Sequence, residues 1–111
     1  MAVVNQYKFA GLNANTDNTE KNPFGTNNPP VNETYLIKSI IVKSAGTPTP
    51  TVTNDGIVVI QSAALTANES KELLTQPLIV EGGKTLTIKA GSVDAFTFGV
   101  SYLNIKKEVT T

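Results

Sequence analysis

The stretch that most constrains the fold is 84–105, KTLTIKAGSVDAFTFGVSYLNI. Leu86, Ile88 and Ala90 alternate there with Thr85, Thr87 and Lys89. Phe96, Phe98, Val100 and Tyr102 alternate in the same way with Thr97, Gly99 and Ser101. Successive side chains of a strand point to opposite faces, so a period of two lets each segment bury one face and wet the other. Gly91-Ser92-Val93-Asp94 supplies the punctuation of a reversal. The pattern predicts a β-hairpin at the centre of an all-β domain.

The rest of the chain fits that class. Its 111 residues suit one domain, spanning 1–111, large enough to bury roughly two-thirds of the surface an unfolded chain exposes. Hydrophobic residues make up 40% and charged ones only 16%, which is too apolar for disorder. There is no Cys, so stability must come from the core, with or without neighbouring subunits, rather than from disulfides.

Taken in order, residues 2–10 contain a short extended segment with Val4, Tyr7 and Phe9 as contacts. Residues 11–32 are dense in Asn, Pro, Gly and Thr and predict a long loop, of the kind that is usually a binding element or disordered. Phe24, between Pro23 and Gly25, is placed to pin that loop to the body. Thr34 to Ser44 is a β-branched strand whose Leu36, Ile37, Ile40, Ile41 and Val42 fall on both faces. Such a strand is either central or has its outer face covered by a loop or another subunit.

Pro48 and Pro50 leave room only for a short edge strand at Thr51 to Thr53. Asn54-Asp55-Gly56 is then a tight turn into a strand at Ile57 to Ala63. Within 65–76, Thr66 and Glu69 resemble a capping box, but the segment is short for a helix. A turn at Thr66 to Asn68 and a strand at Ser70 to Thr75 is the preferred reading. Leu78 to Val80 and a turn at Glu81 to Lys84 lead into the final pair of strands. The sum is a single antiparallel β-sandwich, jelly-roll-like, with seven or eight short strands.

Little in the sequence carries reaction chemistry. With no His and no Cys, the common nucleophilic triads and most zinc sites are excluded. Glu81-Gly82-Gly83-Lys84 lacks the spacing of a phosphate loop. Glu69 and Glu72 read as solvated rather than as a catalytic pair. Asn13, Asn15 and Asp17 alternate as calcium ligands do at the start of a loop, yet the closing Gly and bidentate Glu are absent, which favours an ordinary Asx-rich loop. No enzyme, metal or cofactor is expected.

Net charge is zero, with nine basic residues against nine acids. That balance gives no basic face for DNA or RNA. The start, MAVVNQYKFAG, lacks the pattern of a signal peptide, and no run approaches the roughly 18–20 apolar residues of a membrane span. The expectation is a component assembled in the cytosol.

The order of SIIVKS, ALTANESKELL, PLIVEGGKTLTIKA and AFTFGVSYLNI, after an opening Tyr7-Lys8-Phe9 strand, resembles a group of small tailed-bacteriophage virion proteins. The likeness spans about residues 6–105 and is strongest over 65–105. It implies a structural β-sandwich of the virion, a capsid decoration or cement protein or a neck-tail accessory, assembled in the host cytoplasm. Other virion proteins would be its partners, with self-association, plausibly as a trimer, to cover the doubly apolar strand. Tyr7, Phe9, Asn13, Asn15, Asp17, Phe24 and Tyr35 are the candidate protein-contact residues. The alternative expectation is a carbohydrate- or receptor-binding sandwich of a fibre or adhesin, which needs an exposed aromatic platform.

Overall fold

The longest apolar alternation in the chain becomes its organising strand. In the computed structural model, which describes residues 3–15, 17–24 and 29–107 (side chains at 5–11, 17–24 and 29–106), this is β8, Phe96–Lys107. Before it come β1 (Val3–Asn15), β2 (Glu33–Ser44), β3 (Thr51–Asn54), β4 (Ile57–Gln61), β5 (Lys71–Glu72), β6 (Leu78–Val80) and β7 (Leu86–Lys89). The larger sheet runs β1-β8-β2, with β5 and β6 both pairing along the far side of β2. The smaller runs β4-β3-β7. Every pairing is antiparallel.

First and last strands therefore lie side by side, and the two sheets pack face to face as a small β-sandwich. Lys21 exchanges two backbone hydrogen bonds with Ile88, at 3.0 and 2.8 Å, on the side of β7 not used by β3. The chain thus visits the second sheet between β1 and β2, as in a jelly roll.

Ile37, Ile40 and Val42 of β2 and Phe96, Phe98 and Val100 of β8 meet Val52, Leu86 and Ile88 of the smaller sheet, all buried. Each such side chain contributes roughly 1.5–3 kcal/mol on burial. The long strands outrun the smaller sheet, and the molecule measures 51 × 21 × 20 Å. Past that sheet the inner face needs another cover, and Phe24 supplies it. Its ring lies edge-on at 4.8 Å from Tyr35 and 5.0 Å from Tyr102.

Three expectations need correction. The segments at 84–105 do not form a hairpin: β7 pairs with β3, while β8 pairs with β1 and β2. Alternation reports which face is buried, not which strand lies alongside. A four-residue strand also cannot satisfy a twelve-residue one, so β8 pairs with the other long strands. Gly91, at φ 93°, turns the chain between layers, where a Cβ would stand 2.8 Å from the Thr49 carbonyl oxygen.

Second, the loop expected over 11–32 begins later, because β1 continues to Asn15 against β8, with a bulge between Leu12 and Asn15. Third, Thr51–Asn54 is the centre of its sheet rather than an edge. Pro50 precedes the first paired residue, so no ladder bond is lost to it.

Glu72 is exposed, as a solvated acid should be, and it also ties two strands together. β2 has an irregularity between Ile37 and Ser39. The Glu72 carboxylate accepts there from the Ser39 hydroxyl and, at 2.7 Å, from the Ile40 N–H. The same segment bears out a turn and a strand in place of a helix, with the strand reduced to Lys71–Glu72. Asp55 and Gly56, at φ 53° and 76°, close the β3–β4 turn as the Asn-Asp-Gly signal requires.

Candidate assembly surface

β8 buries Phe96, Phe98, Val100 and Tyr102, so its other face carries Thr97, Gly99, Ser101, Leu103 and Ile105. That outer face is polar at one end only. Leu103 lies opposite Tyr7 of β1 on one side and Leu36 of β2 on the other. Leu36 in turn lies opposite Ile79 of β6. Tyr7, Leu103, Leu36 and Ile79 thus form one apolar row crossing four strands, with Tyr7 78% and Ile79 55% exposed. A solvated antiparallel face is ordinarily polar.

The row extends at both ends. Phe9, 72% exposed, folds its ring over Gly99, where a Cβ would come within 2.5 Å of it. Beside Phe9 a shallow groove of about 250 Å³ runs along Ile41, Thr97 and Gly99. Past Ile79 a second hollow, of about 280 Å³, is lined by Ile57 and Val59 and rimmed by Asp55, Glu81 and Lys84. Lys84 and Asp55 pair at 3.7 Å on that rim. The Asn54 amide donates to the Ile79 carbonyl at 2.8 Å, fixing β6 against the β3–β4 turn. An apolar centre with a polar border is the anatomy of a protein interface.

The sequence-derived contact residues divide into separate groups. Tyr7 and Phe9 share the outer face. Phe24 and Tyr35 lie instead on the inner side, in one aromatic cluster with Tyr102. Burial pushes the Tyr35 and Tyr102 hydroxyls above their ordinary pKa, and the Glu33 charge adds to the shift.

Asp17 accepts from the Thr19 hydroxyl at 2.7 Å and from Lys21 at 3.2 Å. The Thr19 bond, then the Lys21 one, hold its carboxyl below the usual value. The side chains of Asn13 and Asn15 lie outside the described residues. Among the described residues, no group of three or more potential metal ligands converges, and no helix is long and apolar enough to cross a membrane.

Leu36, Leu103 and Ile79 were not foreseen as contacts. Two signals pointed to them: the apolar residues on both sides of Thr34 to Ser44, and Leu103 and Ile105 standing where Thr97, Gly99 and Ser101 predict polar positions. No family model matches the chain, and no curated protein matches it.

Proposed function

We propose that this chain is a non-enzymatic structural protein of a tailed-bacteriophage virion, a capsid decoration or neck-tail accessory that docks on a protein surface of the particle. The observation that carries the docking is the apolar row Tyr7, Leu103, Leu36 and Ile79 on the outer face of the larger sheet, exposed at its Tyr7 and Ile79 ends and half-buried between them. Contiguous apolar surface of this kind marks sites of protein contact. The virion context comes from the sequence resemblance, and an all-β sandwich with an apolar outer row fits a task of shape.

Binding to purified particles tests the reading. The wild-type protein is expected to co-sediment with virions of the phage that encodes it, and Leu36→Lys is expected to remain in the supernatant while folded. A folded wild-type protein that is absent from the virions and does not bind them would sink the idea.

The exposed Tyr7 and Phe9 favour a second reading, a glycan platform of a fibre or adhesin. Glycan-array binding abolished by Tyr7→Ala would support it. Tyr35, packed between Phe24 and Tyr102, offers no such platform.

A further inference from the structure

A sheet edge left open pairs with whatever strand it meets, so folded proteins blunt their edges. Three edges here are short or covered. β5 and β6 are two and three residues long. β7 is capped by the Lys21 bridge. β4 has five residues, and its pairing with β3 is broken by a register shift. β1 differs from all of them. It runs for thirteen residues, pairs among the described residues only with β8, contains no Pro, and has Lys8 as its single charge.

We propose that β1 pairs antiparallel with β1 of a second copy of this chain about a twofold axis at Tyr7, joining the two larger sheets into one. The inference deepens the assembly role proposed above and rests on it for its purpose, not for its geometry.

Charge and register select the second copy and the axis. Residues facing each other across an antiparallel pair share a sheet face, so the axis passes through one residue. With Tyr7 on the axis, Lys8 lies opposite Gln6, Phe9 opposite Asn5, and Gly11 opposite Val3. The paired stretch then ends before the bulge between Leu12 and Asn15. Moving the axis to Lys8 sets two ammonium groups directly opposite, which is destabilising. Moving it to Phe9 carries the pairing through the bulge, and moving it to Gln6 shortens the paired stretch from 3–11 to 3–9.

A strand nearly free of charge suits its own copy better than an acidic or basic partner. Tyr7 and Phe9, 78% and 72% exposed, are rings of roughly 150–250 Å² each. Across the axis the two Tyr7 side chains become direct cross-strand neighbours, the kind of aromatic pair that stabilises an antiparallel ladder. A twofold contact uses the edge completely, so assembly stops at two copies instead of growing into a fibre.

The chain has no Cys, so single cysteines report the register directly. Wild-type protein is expected to sediment at twice 11.8 kDa. Under mild oxidation Tyr7→Cys is expected to form a covalent dimer at least about tenfold faster than Phe9→Cys or a Lys43→Cys control. Tyr7→Lys, with two ammonium groups on the axis, is expected to sediment as a folded monomer by its strand circular-dichroism signal, with a melting temperature that, unlike the wild type's, does not depend on protein concentration. A monomeric or trimeric wild type overturns the pairing, and fastest cross-linking at Phe9→Cys overturns the register. Either outcome leaves outer-face docking standing, since that is read by particle binding of Leu36→Lys.

Discussion

The two faces of the larger sheet are built from the same strands and differ in what meets them. On the inner face Phe96, Phe98 and Val100 find the smaller sheet, and Tyr102 finds Phe24. On the outer face Leu103, one residue further along β8, lies between Tyr7 and Leu36 and stays half-exposed. Apolar residues therefore do two jobs in one strand. Inward they hold the fold together, and outward they form the row to which the proposed docking is assigned. Substitutions that separate stability from association break or sharpen this contrast.

The largest effect is expected at Phe98, which is 3% exposed. Phe98→Ala should lose about 3–5 kcal/mol of stability, the range for truncating a buried aromatic, measured by denaturant unfolding. A loss below about 1 kcal/mol would remove Phe98 from the core and weaken the contrast. Glu72→Ala comes next. It strips the acceptor from the Ile40 N–H at 2.7 Å and the Leu74 N–H at 3.3 Å, at a cost of about 1–3 kcal/mol. Stability unchanged in the same assay would mean that water replaces the carboxylate.

On the outer face Leu36→Lys should cost no more than about 1 kcal/mol, the span of strand preference at a half-exposed site. Its particle binding should nonetheless disappear. The smallest effect is one of pH. Tyr35 and Tyr102 have hydroxyl pKa values raised above 10.0, so above the ordinary value the unfolded chain releases protons that the native one retains. Stability is unaffected below about pH 10 and falls as pH climbs from there through the raised values. Both hydroxyls are only partly removed from water, so the slope is shallow. Tyr102→Phe should flatten it in thermal melts taken across that range, and an unchanged slope would assign it to other groups.

Much of the fold could be read before the structure was seen. Strand positions followed from alternation, and the β3–β4 turn from Asn54, Asp55 and Gly56. Neighbours did not follow. Nothing in Leu86 and Ile88 says that Leu86 pairs with Asn54 and Ile88 with Val52 and Lys21, instead of either with β8, because period two encodes a face and not a pairing. The extent of β1 was hidden as well. Asn13 and Asn15 favour loops locally, and the ladder offered by β8 overrides that preference. The outer surface was partly legible. Tyr7 and Phe9 stood out as aromatics, but Ile79 joins them only because β6 pairs with β2, a contact between segments distant in sequence.

The most direct measurement combines particle binding and melting temperature for Leu36→Lys/Ile79→Glu, which places opposite charges across the β2–β6 pair. These residues sit side by side in the outer row and outside the core. If that row is the docking contact, the double variant melts within a few degrees of wild type and fails to co-sediment with particles. A folded double variant that binds particles as strongly as wild type contradicts it.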